Sequence, residues 1–366
     1  MKRNKYSNMM RKGLIGLFLI MMPCFTGCRI AYLLHAARGQ FHLQHNSVPI
    51  EEALGRDSLG PEQKDRLRLV ARIKEFGEKE LGLRKTGNYQ DVYLNSDAYP
   101  IFCVSACPKD RLERITWWFP VVGDMPYLGF FDLENAKAEK QRLSEKGLDV
   151  VIGAADSYST LGWFRDPVTM NLIDGNSTGL VEIILHEMTH STLYVNGQGE
   201  FNEGLAVLVG KVGAYRFLLK TFGPIHPFTI EAMGSLQDER LFCSLLNSLI
   251  DRLEHLYDSP LNYREKVFRR EQIFKEWLDF FESHKANFRT GRFVRFGSGG
   301  LNNAYLMTAG LYHRRFRLFE SVLKQKGNSV RTMLAFFREL SISDKDMLEM
   351  TREWLNRGQF TALEQD

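Results

Sequence analysis

The sequence of 366 residues is long enough for one large or two ordinary domains, so the size of the hydrophobic core does not restrict the fold. Its composition, with 44% apolar and 25% charged residues, is that of a globular protein and argues against a disordered or fibrous chain. The formal net charge of +4 comes from residues 1–27, which hold five basic residues and no acidic one; the 43 basic and 44 acidic residues that remain give no surplus of charge for binding nucleic acid.

Residues 1–27 have the order of a secretory signal, with a basic start, an apolar run and small residues before a cysteine. The stretch FTGC (25–28) resembles the lipobox of bacterial lipoproteins, which implies cleavage before Cys28, diacylation of Cys28 and a lipid-anchored segment over residues 28–60. The alternative is an uncleaved membrane anchor, but Arg29 ends the apolar run well short of the ~20 residues that span a bilayer. We therefore expect an extracytoplasmic protein tethered to a membrane. The outer membrane is preferred because Arg29 follows Cys28, where many bacterial lipoproteins retained in the inner membrane have an aspartate.

The chain mixes helices and strands up to about residue 177. Apolar residues recur at helical spacing from Pro61 to about Leu83, which predicts an amphipathic helix. Short β-branched and aromatic runs between about residues 88 and 131 predict strands. Residues 132–147 have the pattern of a surface helix, and residues 148–154 have that of a buried strand.

From residue 178 onward almost the whole chain has a helical pattern. The sequence therefore predicts an α+β fold with two parts. Residues 61–177 would form a small mixed part with β-sheet, and residues 178–366 would form a mainly helical part.

Three cysteines remain if Cys24 is cleaved off and Cys28 is lipidated, which allows at most one disulfide within the chain. Cys103 and Cys107 could pair only if the residues between them turn sharply, because a disulfide needs close Cα atoms. Free thiols are the alternative.

The sequence HEMTH at residues 186–190 places two histidines four residues apart. In a helix, His186 and His190 would lie one above the other, while Glu187 would lie about 100° around the helix, within reach of a water molecule on a shared metal ion. We expect Asn196-Gly197 to end this helix with a left-handed glycine cap. We expect Asn202 to cap the next helix, so that Glu203 in its first turn faces the metal.

Two imidazoles and one carboxylate are the protein ligands of a catalytic zinc ion that keeps a fourth position for water. With Glu187 as the general base, such a site would hydrolyse a peptide bond. The alternative is a helix that carries two surface histidines and an incidental glutamate. The occurrence of Glu203 where a third ligand is needed favours the zinc site.

HEMTH followed by NEGLA (202–206) resembles the gluzincin metallopeptidases, in which the third zinc ligand lies in an NE-x-x-A segment of the next helix. Other stretches are similar to a narrower group, the putative aminopeptidase family of bacterial lipoproteins: PVVGDMPYLGFFD (120–132), SYSTLGWFRDP (157–167) and LNNAYL (301–306). The resemblance implies a zincin-like fold, a peptide or protein substrate, Glu187 as the base and the zinc ligands His186, His190 and Glu203. At Gly204-Leu205 the family pattern has Ser-Phe.

In gluzincins, an edge strand before the metal helix pairs with the backbone of the substrate. By resemblance, residues 157–164 would be this strand, with Tyr158 and Ser159 as substrate contacts. The alternative is a loop whose Trp163 and Phe164 fill the core.

A zinc hydrolase also needs a hydrogen-bond donor for the oxyanion of the transition state. In the helix expected from residue 301 onward, Tyr305 and Tyr312 are candidates for this donor, and Asn302 or Asn303 could orient the substrate. The alternative is a pair of half-buried core aromatics with a capping asparagine.

Several charged residues near these motifs have two interpretations. Glu182 could orient a ligand histidine, and Glu200 could bind the α-amine of a substrate, but either could also face solvent. His313 is expected at the surface, and the arginines of 289–295 and 314–317 are expected to be solvated.

The leading hypothesis is a membrane-tethered, extracytoplasmic zinc aminopeptidase that binds peptides and no nucleic acid. One alternative is a zinc endopeptidase of the cell envelope. Another is a non-catalytic lipoprotein that binds a partner there, although a purely structural metal site would have no need of Glu187 as a base.

Overall fold

A computed structural model describes residues 41–94, 101–119, 123–130, 132–155 and 165–363. The chain divides into two units, residues 1–46 and residues 47–366. In the first unit, residues 41–45 are helical, and the ring of Phe41 stacks on that of His45. The expected signal peptide, the lipidation site Cys28 and the expected substrate-side strand at 157–164 lie outside the described residues.

The described part of the second unit contains eight short strands and twelve α-helices. The strands are β1 (Ser47–Pro49), β2 (Asp91–Tyr93), β3 (Ile101–Cys107), β4 (Trp117–Phe119), β5 (Gly123–Met125), β6 (Leu128–Phe130), β7 (Asp149–Ala155) and β8 (Val168–Thr169). The helices are α1 (Ile50–Leu54), α2 (Pro61–Phe76), α3 (Leu133–Glu145), α4 (Met170–Asp174), α5 (Ser177–Thr192), α6 (Gly199–Phe222), α7 (Pro227–Asp258), α8 (Tyr263–His284), α9 (Asn303–His313), α10 (Phe316–Gln325), α11 (Val330–Leu340) and α12 (Met347–Leu363). Among the described residues, no helix is both long enough and apolar enough to cross a membrane.

The strands form three small sheets in the order β6-β3-β7, β1-β2-β8 and β4-β5. In the first sheet both pairs are antiparallel, with Phe102 opposite Phe130 on one side and Ala154 on the other. Helices α3 and α9 both pack on β3 and β7. The sheets and the long helical part that follows confirm the predicted α+β class.

Two of the predicted helices are confirmed, with one difference in shape. The helix expected over residues 132–147 is α3, which starts at its N-cap Asp132 and is followed by Gly147 at φ +79°. The helix expected over residues 61–83 is α2, but its end widens into a π-helical turn over Gly77–Leu81. Gly77 lies against α5, where a Cβ would come within 3.0 Å of the side chains of Leu185 and Met188.

Helices α5 and α6 form the centre of the larger apolar cluster, which includes fully buried Leu185, Leu205 and Leu208. The two helices approach closely at Gly210, where a Cβ would lie 2.7 Å from the backbone oxygen of Glu182 and 3.3 Å from the Cβ of His186. Only a glycine fits against this turn of α5. A second apolar cluster lies between α7 and α8 and contains the fully buried Trp277.

Helix α9 is held at its first residue by a buried ion pair. The guanidinium of Arg270 on α8 donates to the carboxylate of Asp149 on β7 at 2.5 Å, and the backbone N–H of Asn303 donates to the same carboxylate at 3.0 Å. One carboxylate thus joins the sheet, α8 and α9.

The predicted boundary between α5 and α6 is wrong. Helix α5 ends at Thr192, before the expected Asn196-Gly197 cap, and α6 begins at Gly199 rather than after Asn202. Asn202 is buried inside α6, where its side chain accepts from the backbone N–H of Val195 at 2.9 Å and donates to its carbonyl at 2.8 Å. This residue therefore fastens the connecting loop to α6 instead of starting the helix.

Cys103 and Cys107 are free thiols. Both lie in the continuous strand β3, where four residues of extended chain separate the two Cα atoms by ~13 Å. A disulfide cannot span that distance.

The contact at Gly210 gives a test of the packing between α5 and α6. We expect Gly210→Ala to lower the free energy of unfolding by ~2 kcal/mol, because the new methyl group meets a backbone carbonyl that cannot move aside. Gly213→Ala, one turn further along α6, is the matched control, since its methyl group meets only the flexible ends of Leu185 and Leu81. Urea unfolding followed by circular dichroism would measure both, and equal losses would contradict the proposed backbone contact.

Candidate metal centre

Helix α5 carries both histidines of the HEMTH motif. It starts at Asn176, whose side-chain oxygen accepts from the backbone N–H of Gly179. Its apolar face is buried in the core, and the rings of His186 and His190 lie on a neighbouring face, edge to face, with centroids 4.8 Å apart. His190 is only 5% exposed, so the alternative of two surface histidines does not hold.

Glu203 on α6 completes a triangle of possible ligand atoms with these two histidines. The Nε2 atoms of His186 and His190 are 3.1 Å apart, and Glu203 Oε2 lies 3.2 Å from the first and 3.4 Å from the second. Two ligand atoms bound ~2.1 Å from a tetrahedral metal ion lie ~3.4 Å from each other. Within the described residues, this is the only group of three or more histidine, cysteine or acidic side chains that could hold a metal ion.

Charge is concentrated in this cluster. Burial alone would raise the pKa of Glu203, but the adjacent His190 and His186 hold it well below its usual value. Burial would lower the pKa of His190, yet the carboxylate of Glu203 raises it. The metal-free cluster thus favours an ionised carboxylate beside a proton-binding imidazole, and a divalent cation would replace that proton with a stronger positive charge.

Four tyrosines lie within electrostatic reach of Glu203 or Glu187, each with a pKa raised above its ordinary value. The charge of Glu203, and then burial, raises the pKa of Tyr312, whose ring centroid is 6.4 Å from that of His186. Burial is the main cause of the raised pKa of the three others, and Glu203 or Glu187 adds to it in each case: Tyr89, Tyr127 and Tyr194. Their hydroxyl groups therefore remain protonated and can donate hydrogen bonds.

The sequence predicted Tyr312 but missed the other three tyrosines. Tyr194 was detectable, since it follows His190 by four residues and its ring lies 6.2 Å from that histidine. Tyr127 comes from the turn between β5 and β6, and Tyr89 comes from the loop before β2, where it adopts φ +58°. Tyr127 lies in the stretch 120–132 that resembles the family, which was its available signal, whereas no local pattern connects Tyr89 to the HEMTH helix.

The other residues expected along α9 lie away from the metal cluster. Tyr305 is two turns before Tyr312, and its hydroxyl accepts from the backbone N–H of Gly297 at 3.5 Å. The side chain of Asn302 caps α9 by accepting from the N–H of Tyr305.

Asn303 is fully buried, and its amide group is engaged within the protein. It donates to the carbonyls of Pro108 and Arg111 and accepts from the hydroxyl of Tyr257. The expected substrate residues Tyr158 and Ser159 lie outside the described residues.

Several charged side chains expected in solvent are paired inside the protein. The carboxylate of Glu200 lies between Arg114 and Arg315, with N···O distances of 3.4 and 3.2 Å. His313, expected at the surface, contacts fully buried Glu239 at 2.5 Å. These groups face each other across elements that are distant in sequence, so the pattern of charges along the chain could not reveal them.

Other members of the two arginine runs are also paired. Arg314 makes a two-pronged bond to Glu254, and half-exposed Arg292 donates to buried Glu182 at 2.8 Å. Arg289 and Arg295 are exposed, as expected.

Gly204 stands where the family pattern has a serine, and this difference has a steric reason. A Cβ at this position would come within 2.7 Å of the ring of Phe319, which is fully buried. Phe319 occupies the space that the serine of the family pattern would need.

The comparison with protein-family models matches residues 31–351 with the family described as Putative aminopeptidase. The matched range contains the metal cluster, Glu187 and Tyr312. No curated protein and no solved structure matches the chain.

Glu203 is the possible ligand that α6 contributes, and its removal tests the site. We expect Glu203→Ala to weaken binding of a divalent metal ion by at least ~100-fold, because only two neutral imidazoles remain. Glu200→Ala is the control, since Glu200 lies one turn earlier on the same helix and pairs with arginines instead. Calorimetric titration of metal-free protein with Zn²⁺ and Co²⁺ would measure the change, and similar affinities for both variants would contradict the assignment.

Proposed function

We propose that this chain, which belongs to the Putative aminopeptidase family, is a zinc-dependent aminopeptidase of the gluzincin type with a zincin-like fold. The observation that carries the proposal is the approach of His186 Nε2, His190 Nε2 and Glu203 Oε2 to between 3.1 and 3.4 Å of one another. Two imidazoles and one carboxylate are the three protein ligands of the catalytic zinc in many peptidases. Family membership supports a peptide or protein substrate, and the donor set supports zinc as the metal.

Glu187 is the proposed general base. A zinc ion bound at the cluster would supply Lewis-acid activation of the attacking water and of the scissile carbonyl. Glu187 would accept the proton of that water and later deliver it to the leaving amine. Its position supports this role, since it follows His186 directly, is only 9% exposed, and its charge acts on His190 and Tyr312.

Tyr312 is the proposed donor to the oxyanion. Because its raised pKa keeps the phenol protonated, its O–H can donate a hydrogen bond to the oxygen on which negative charge develops. Tyr312 reaches the cluster from α9, on the side of His186. Tyr305 lies ~10 Å further back along the axis of the same helix, so we assign it no contact with the reacting atoms.

Binding of the substrate backbone is proposed for the segment that continues β7. In the described part of the chain, β7 lies at an edge of the β6-β3-β7 sheet and leads directly into residues 156–164. An extended peptide could pair with such an edge, with Tyr158 and Ser159 contributing contacts. Glu200 is not assigned to the substrate α-amine, because two arginines already neutralise its charge.

The location of the enzyme is proposed from the sequence of its first 28 residues. The basic start, the apolar run and the FTGC stretch support export, cleavage before Cys28 and attachment to a membrane through a lipid on Cys28. An enzyme held in this way would act on peptides outside the cytoplasm.

The proposed activity is tested with one reporter in two forms. We expect zinc-loaded protein to hydrolyse an aminoacyl reporter with a free α-amine and to reject its N-acetylated form. We expect Glu187→Gln to retain stoichiometric zinc and lose at least ~1000-fold in kcat, because the attacking water has no base. Chromogenic assays with metal analysis of the same samples would measure both.

The outcomes separate the alternatives. Hydrolysis of internal bonds in blocked peptides would replace the aminopeptidase with an endopeptidase. Full activity of Glu187→Gln would contradict the mechanism, and bound zinc without turnover on a broad peptide library would favour a non-catalytic binding protein.

Tyr312 and Tyr305 give a matched pair on one helix. We expect Tyr312→Phe to lower kcat by ~100-fold with little change in KM, because the hydrogen bond is made mainly in the transition state. Tyr305→Phe should retain wild-type kcat. Steady-state kinetics of the two variants would measure the difference, and equal effects would remove Tyr312 from the proposed mechanism.

A further inference from the structure

A chain of buried charged side chains lies behind the metal centre. The carboxylate of Glu182 accepts from Ser235 at 2.7 Å, from Arg292 at 2.8 Å and from Lys211 at 3.3 Å. The ammonium group of Lys211 also lies 3.5 Å from the second carboxylate, that of Glu239. We call the chain of Glu182, Lys211, Glu239 and His313 the charged relay, because Glu239 in turn contacts His313 Nδ1 at 2.5 Å.

The charged relay is unusually deep in the protein. The side chains of Glu239 and Lys211 are 0% and 2% exposed, and that of Glu182 is 8% exposed. Such groups cost more to remove from water than their mutual attraction returns, so apolar side chains of similar size would often stabilise the fold at least as well. Stability alone is therefore a poor explanation for this arrangement.

Each helix that carries a group of the metal centre contributes one member of the charged relay. Glu182 lies one turn before His186 on α5, and Lys211 lies on α6, which also carries Glu203. His313 directly follows Tyr312 on α9. Glu239 comes from α7, which carries none of the residues of the metal centre.

The contact between Glu239 and His313 fixes the rotation of the end of α9. Successive side chains of a helix point ~100° apart, so a fixed direction for His313 sets the direction of Tyr312. The ring of His313 lies edge to face with the rings of Phe242 and Phe293, on the side of α7. The ring of Tyr312 points to the other side, toward His186.

We infer that Glu239 is a positioning residue that acts through His313 to hold the hydroxyl of Tyr312 over the metal centre. The ion pair between Glu239 and Lys211 connects the end of α9 to α6, and the ion pair between Lys211 and Glu182 extends this connection to α5. The inference rests on the proposed function, in which Tyr312 stabilises the oxyanion. It adds a group that touches neither substrate nor metal but determines where a catalytic side chain lies.

Two variants of the contact test the inference. Glu239→Gln removes the charge but keeps a side chain of the same shape, and His313→Leu removes the contact in surroundings that are already aromatic. We expect both variants to bind stoichiometric zinc, to keep KM within about twofold, and to lose about tenfold in kcat. In the Tyr312→Phe background, neither change should lower kcat further, because the side chain that they position has already lost its hydroxyl.

Glu254→Gln is the matched control. Glu254 pairs with Arg314, the residue after His313, and so supports the same end of α9 without touching the charged relay. We expect this variant to keep the wild-type kcat. Equal losses of kcat in Glu254→Gln, or losses of kcat that multiply in the Tyr312→Phe background, would overturn the positioning role in favour of general support of α9.

A readout without turnover separates this inference from the proposed activity. In zinc-loaded protein labelled with 3-fluorotyrosine, the ¹⁹F resonance that Tyr312→Phe removes belongs to Tyr312. We expect this resonance to shift in Glu239→Gln and His313→Leu and to stay in place in Glu254→Gln. If the resonance shifts in these two variants but the wild-type protein has no activity, the aminopeptidase proposal ends and the positioning of Tyr312 remains. If the resonance does not move in either variant, the positioning role ends even when the wild-type protein is active.

Discussion

The close approach of α5 and α6 determines the geometry of the candidate metal centre. Two of the possible ligand atoms come from α5 and one from α6, so the triangle that they form depends on the distance and rotation between the two helices. Gly210 permits that distance, since its missing side chain lets α6 touch the turn of α5 between Glu182 and His186. The buried leucines around this contact hold the two helices together through apolar packing that has no direction of its own. The relative orientation of the two helices is set by polar contacts, namely the hydrogen bonds of Asn202 to the connecting loop and the ion pairs of Lys211.

Sequence patterns predicted the parts of the molecule that local rules determine. The α+β class follows from a change in apolar periodicity near residue 178, and the adjacency of His186 and His190 follows from a four-residue spacing on one helix. Glu203 was predicted as the third ligand partly from the NEGLA resemblance and partly from an N-cap at Asn202 that the structure does not have. The boundary between α5 and α6 was wrong because Asn202 has two possible uses. An asparagine before an acidic residue is a good N-cap, but here its amide bonds the backbone of Val195. The residues next to Asn202 in the sequence do not show whether its side chain caps a helix or bonds to a loop.

The residues around the candidate metal centre were harder to predict than its possible ligands. Tyr312 was found because it lies in the helix that the sequence predicts from residue 301 onward. Tyr89 and Tyr127 come from a loop and a hairpin turn that only the tertiary fold brings near Glu187, although Tyr127 lies in the stretch 120–132 that resembles the family. The interpretation of arginine runs as solvated faces failed for a related reason. Arg315 and Arg292 find their carboxylates on helices far away in the sequence, and charge patterning along one segment does not record such partners.

The three possible metal ligands lie within residues 186–203, in two consecutive helices, whereas Tyr312 arrives from beyond α8. The possible ligands come together when two consecutive helices pack, which closes a short loop, whereas the position of the tyrosine depends on long-range docking of a later segment. Under the proposed function, metal content and turnover would therefore report on different parts of the tertiary structure. A preparation of the proposed enzyme that is fully loaded with metal would then still contain inactive molecules wherever α9 has not docked.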